Sequence, residues 1–196
     1  LAFVPLTVSR KVLLLMLLTP VIGLAADRWR LMSARAPVLM AVLAASVTPW
    51  VLASVLAQKE GITQMVLPGV AIAAFAAAVV ALTLRLRDDG IATAAAGIGL
   101  GAGVGVAALL SASTGYFTSG IALAAASGAL MLGQFAAGRV VPAGALGALP
   151  IGLGAALFCA AALMLAQLPW YALPATLLVP IVAGLPIAAS GSVRLR

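Results

Sequence analysis

Histidine is absent from this 196-residue chain, cysteine occurs once, and only four side chains carry a carboxylate. Without histidine there is no imidazole general base, no histidine-ligated haem and no histidine-based zinc site. The lone cysteine, Cys159, forms no intrachain disulfide and reads as a small core residue. Asp27, Glu60, Asp88 and Asp89 all stand at the edges of apolar stretches, so they offer no pair of carboxylates for acid–base work. The expectation is a protein that is not an enzyme, with no catalytic, cofactor-binding or metal-ligating residues.

Charge is also scarce. Charged residues make up 8% of the chain and apolar residues 65%, whereas a soluble globule carries about a quarter charged. Lipid is therefore the solvent for most of these side chains. The fifteen charges fall in short clusters, and the charge-free intervals between them run 12–26, 36–58, 61–84, 90–138 and 140–193. A helix rising ~1.5 Å per residue needs about 20 residues to cross a hydrocarbon core ~30 Å thick. The two longest intervals, 49 and 54 residues, thus each hold a helical hairpin.

The fold class that follows is all-α, a polytopic transmembrane helix bundle of about seven spans in one integral membrane domain, residues 1–196. If residues 1–26 do not cross, the count is six. That first segment reads either as a signal peptide or, preferably, as a short or tilted span whose Arg10 and Lys11 reach back to the interface. Span two is expected at Val38–Ala57 with a kink at Pro49, and span three at Met65–Leu84 with Pro68 in its first turn. Spans four and five, Ile91–Leu110 and Ile121–Ala137, are divided by the polar segment Ser111 to Gly120. Spans six and seven, Gly144–Ala166 and Ala172–Ala189, are divided at Gln167 to Tyr171, where Trp170 and Tyr171 suit an interface.

Seven crossings place Arg28, Arg30, Arg35, Arg85, Arg87, Arg139, Arg194 and Arg196 on one side, and Arg10, Lys11 and Lys59 on the other. The positive-inside bias makes the eight-residue side cytoplasmic, with the C-terminus inside. The same bias accounts for a net charge of +7 without invoking nucleic acid, because the basic residues flank apolar runs and form no stripe beside stacking aromatics. Expected partners are the lipid bilayer, with other membrane subunits or self-association, and no nucleic acid. The compact loops and Ala/Gly-rich spans point to a bacterial inner membrane.

Glycine supplies the main pattern inside the spans. Gly97, Gly101 and Gly105 form one row on span four and Gly99 and Gly103 a second, and both read as helix-packing faces. A nucleotide-binding glycine loop would need a preceding strand and a water-exposed turn, which an apolar helix does not provide. Span six carries Gly144, Gly147, Gly152 and Gly154 in the same manner. The pair Asp88-Asp89 before Gly90 starts like a metal-binding aspartate motif, yet no carboxylate follows before Arg196 to complete a metal shell. It reads as a solvated helix terminus balanced by Arg85 and Arg87.

Spans two to seven contain no ionisable Asp, Glu, Lys or Arg, which disfavours proton-coupled transport through a buried carboxylate. A candidate substrate path is assembled from Gln134 near the end of span five and from Pro174 and Pro180 in span seven, whose prolines free backbone carbonyls. An interhelical hydrogen bond is the commoner role for such a glutamine.

Two short stretches look like parts of known transporters. Gly23, three residues, then Asp27-Arg28 resembles the first cytoplasmic loop signature of major facilitator transporters, with Arg30 standing where that family has glycine. Pro68-Gly69 leading to Arg87-Asp88-Asp89 is similar to a segment of haem-exporter-type ABC permeases, without the glutamate-rich stretch expected next. Two functions are carried forward: a small permease, or membrane-embedded subunit of a transport system, for a neutral or amphipathic substrate; and a non-catalytic structural subunit of a larger membrane complex.

Overall fold

The computed structural model describes residues 7–28, 36–58, 61–110, 113–165 and 171–185. Among them every regular element is a helix: α1 (Val8–Arg28), α2 (Ala36–Val51), α3 (Ala53–Leu56), α4 (Ile62–Arg85), α5 (Gly90–Leu110), α6 (Thr114–Ala136), α7 (Gly144–Leu165) and α8 (Ala172–Ala183). Five of these, α1, α4, α5, α6 and α7, are individually long and apolar enough to cross a bilayer. The chain is a multi-pass helical bundle. Exposed apolar side chains ring it, Leu17 and Val21 on α1, Val38 on α2, Leu67 on α4 and Leu132 on α6 among them, as lipid surroundings dictate.

Proline and the hydroxyl residues shape the individual helices. In α1, Pro20 has no N–H for the carbonyl of Met16, and the Thr19 hydroxyl donates to that oxygen instead at 3.0 Å. The second crossing is interrupted at Leu52, three residues after Pro49, and resumes as the single turn α3. Thr48 donates back to the Ala44 carbonyl at 2.8 Å, a bond that bends helices and adds to the effect of the proline.

α6 begins at Thr114, seven residues earlier than the polar composition of 111–120 suggests. Thr118 and Ser119 both donate to the Gly115 carbonyl at 2.9 Å, so the hydroxyls are satisfied within the first turns and the segment stays helical. Pro49 lies inside α2, and Pro68, expected in the first turn of its span, lies in the second turn because α4 begins at Ile62 rather than at Met65. Expectations for Trp29, Arg30, Arg35, Lys59, Glu60, residues 166–170 and residues 186–196, including Trp170, Arg194 and Arg196, lie outside the described residues.

α7 is the hub. It is apolar on every side, and buried side chains run along it from Ala145 to Ala162, which is the composition of a helix surrounded by other helices. Around it stand α1, α2, α4, α8, α5 and α6, each packed against the next in that order. α6 and α1 do not close the circle. Cys159 is buried in the α4–α5–α7 core with Phe75, Val79 and Leu100.

The helix ends alternate as successive crossings require. The Arg87 carbonyl, just beyond α4, accepts a 3.0 Å hydrogen bond from Gly144 N at the start of α7. The Asp27 carboxylate at the end of α1 reaches the same α7 terminus. Gln134, near the end of α6, packs on Gly90 at the start of α5. Arg28, Arg85, Arg87 and Arg139 therefore share one end of the bundle, while Arg10 and Lys11 lie at the other.

Candidate functional site

The two glycine rows of α5 face different neighbours in the same chain. Gly97, Gly101 and Gly105 meet α6, at Ser127, at Gly120 with Ala124, and at Phe117 with Ile121 respectively. A Cβ on Gly101 would lie 2.5 Å from Ala124 N and 2.7 Å from Gly120 O, and one on Gly120 would lie 2.5 Å from Gly105 N, so here backbone rests on backbone. Gly99 and Gly103 meet α8 at Val179 and Thr176. α5 is thus clamped between α6 and α8.

That clamp separates the residues of the candidate substrate path. Gln134 lies on the α6 flank, 6% exposed, with its amide against Gly90, and its Oε1 has no hydrogen-bond partner among the described residues. Pro174 and Pro180 lie on α8, on the other flank of α5; Pro174 is exposed in the first turn and Pro180 is buried. None of the three lines the groove that lies between α1 and α6. No group of three or more metal-ligating side chains occurs among the described residues. Asp89 accepts hydrogen bonds from Ile91 N and Ala92 N at 3.0 Å and so caps α5, while Asp88, 86% exposed, faces Arg87 at 3.6 Å across a solvated gap.

The opening in the ring between α6 and α1 forms a groove of about 890 Å³ whose floor is α7. Val12, Leu13 and Met16 of α1 make one wall. Ala122, Ala126 and Leu130 of α6 make the other, and Pro150, Ile151 and Phe158 line the floor. No Asp, Glu, Lys or Arg side chain lines it. Ser127, which does, spends its hydroxyl on the Leu123 carbonyl at 2.9 Å. The remaining hydroxyl groups, Ser9, Tyr116 and Ser119, gather at the end where α1 begins and α6 begins.

Both walls are held in place independently of each other. α1 is fixed at its far end by Asp27, whose two oxygens accept Ala145 N and Leu146 N at 3.0 Å each, next to Gly144 at φ +63°. Gly23 allows the same close approach, since a Cβ there would lie 2.6 Å from the Ala145 carbonyl. At its near end Lys11 donates to the Trp50 carbonyl at 3.3 Å and lies 4.8 Å from the Trp50 ring centroid. α6 is held by the glycine contacts to α5. Neither wall depends on the other, which is why the gap persists.

Sequence reasoning did not find this groove. The available signal was the row Gly115, Ser119, Ala122 and Ala126 on α6, small residues at helical spacing of the kind read on span four. Pro150 is placed on the groove floor, and it removes the N–H that would serve the Leu146 carbonyl one turn earlier, also on the groove. Comparison with known families, curated proteins and solved structures finds no match to the chain, so the likenesses at Gly23 to Arg30 and Pro68 to Asp89 remain local.

Proposed function

We propose that this chain is the membrane-embedded unit of a transport system, or a small permease, that takes an amphipathic substrate from the lipid phase into the groove between α1 and α6. One observation supports the reading: the groove lies between two apolar helices and its lining is mostly apolar, with hydroxyl-bearing residues gathered at one end and the mid-groove Ser127 hydroxyl already bonded to the Leu123 carbonyl. An aqueous solute would need polar groups at mid-depth to replace its water. A hydrocarbon tail needs none. On this reading the protein is not an enzyme and sits in a bacterial inner membrane with its arginine-rich end and C-terminus in the cytoplasm, where the positive-inside bias puts them.

The test is movement of a fluorescent long-chain amphiphile between leaflets of vesicles containing the purified protein, read by quenching from outside. Protein-containing vesicles are expected to exchange it faster than protein-free ones, and Ala126→Trp, which fills the groove from an exposed position, is expected to abolish the gain. No acceleration by the unaltered protein overturns the reading.

The small-residue wall Gly115, Ser119, Ala122 and Ala126 favours a second reading, a structural subunit whose groove receives a partner's helix. Co-purification of one membrane protein in fixed ratio, lost in Ala126→Trp, would support it.

A further inference from the structure

We propose that the substrate of the groove is an amphiphile with an uncharged, hydroxyl-rich head of the glycosyl kind, and that Tyr116 and Ser9 hold that head by hydrogen bonds. This rests on the transport reading, and adds to it the substrate class and the residues that select it.

Two hydroxyls stand uncommitted on opposite walls of the groove, at the end where both wall helices begin. Ser9 is in the first turn of α1 and Tyr116 in the first turn of α6, and both line the groove. Neither hydroxyl has a hydrogen-bond partner among the described residues. Tyr116 is held by its ring instead, which packs against the cluster of Leu56 and Ile72 and against that of Ala107 and Ala162. The side chain is therefore positioned with its oxygen still available to a ligand.

The chemistry of the head follows from what these groups can do. A hydroxyl donates one hydrogen bond and accepts others, so Ser9 and Tyr116 offer both functions. Ser119 gives its proton to the Gly115 carbonyl at 2.9 Å and keeps an oxygen that can accept. A head that both donates and accepts answers this set, whereas an ionised phosphate only accepts and a trimethylammonium group does neither. Charge is also uncompensated here: no Asp, Glu, Lys or Arg lines the groove, and Lys11 is directed to the carbonyl and ring of Trp50. Taking an ion out of water without a partner costs far more than taking out a hydroxyl that is hydrogen-bonded. At the far end, Leu130 and Leu146 present only apolar side chains, which suits the tail.

Three fluorescent amphiphiles that share one tail and carry a glucosyl, a phosphate or a trimethylammonium head test this by leaflet exchange in vesicles containing the protein, at amounts where the initial rate is proportional to probe. The glucosyl probe is expected to gain most over protein-free vesicles. Tyr116→Phe keeps the ring and its packing, and should lower that gain roughly three- to tenfold, the equivalent of one hydrogen bond, while leaving the other two probes unchanged. Ser9→Ala, at an exposed position, should act in the same direction. A gain for either charged probe that equals or exceeds the glucosyl gain overturns this inference and leaves the transport reading standing. So does a Tyr116→Phe protein whose glucosyl gain is unaltered, or falls alike for all three heads, as loss of a purely structural contact would make it do. No gain with any head overturns both.

Discussion

Asp27 and Ala145, 118 positions apart in the sequence, are joined by a 3.0 Å hydrogen bond from the Ala145 amide to Oδ1. Oδ2 takes the next amide, Leu146 N, so the last turn of α1 serves as the N-terminal cap of the hub helix. A carboxylate here satisfies two amide donors and also meets the positive end of the α7 dipole. Removing it leaves those donors unpaired. Asp27→Ala is expected to lower stability by about 1 to 2 kcal/mol, and Asp27→Asn by less, since one oxygen remains to accept. Thermal unfolding in detergent, followed by circular dichroism, checks the order; equal stability of all three proteins would show that the cap carries nothing.

Glycines on the two faces of α5 differ in how much room they leave. At Gly101 an added methyl meets Ala124 N at 2.5 Å, and helix backbones cannot yield as side chains do. At Gly103 the nearest atom is Thr176 Cγ2 at 3.8 Å, an ordinary contact. Gly101→Ala should therefore destabilise by roughly 1 to 3 kcal/mol through overpacking. Gly103→Ala should be neutral or stabilise by up to about 1 kcal/mol, because alanine is the better helix former. Since Gly101 faces α6 of its own chain, Gly101→Leu is expected to disrupt the fold of the single chain. Disruption confined to association between chains, with the monomer intact, would contradict this packing.

The spacing of charges made the crossings legible, because an ion placed in hydrocarbon has a cost that no local propensity offsets. Helix starts were less legible. At Ser111 to Gly120 a run of hydroxyl and glycine residues reads as a loop, yet Thr118 and Ser119 bond back to Gly115, a choice visible only once the chain is folded. The glycine rows announced close packing but not the partner, since several apolar helices of the chain could have met them. The groove was illegible for a related reason. It exists because α6 and α1, distant in sequence, end as neighbours across the face of α7, and only the order of helices around α7 determines that.

Gln134, a polar residue near the end of a span, has a measurable cost in this packing. Its Oε1 is buried without a donor among the described residues, and the groove does not include it. An unsatisfied buried acceptor costs about 1 to 3 kcal/mol, and an apolar replacement of the same shape removes that cost. Gln134→Met should thus unfold at an equal or higher temperature than the unaltered protein, and leave amphiphile exchange unchanged. A loss of exchange at full stability would place Gln134 on the substrate path.

The sidedness of the bundle can be read directly, because Cys159 is the only cysteine and is buried. In a Cys159→Ala background, single cysteines at Asp88, Arg139 and Gly115 probe the two ends. Asp88 follows α4 and Arg139 follows α6, and the Arg87–Gly144 hydrogen bond brings these two loops together. Gly115 opens α6 at the far end, with nothing within 4 Å of where its side chain would stand. A membrane-impermeant maleimide added to intact cells should modify position 115, and reach positions 88 and 139 only after permeabilisation, as the excess of arginine at that end requires for a cytoplasmic face. The reverse pattern would invert the assigned orientation and leave the fold intact. Labelling of 88 and 139 from opposite faces is the more serious outcome, since no arrangement in which the Arg87 carbonyl accepts Gly144 N can produce it.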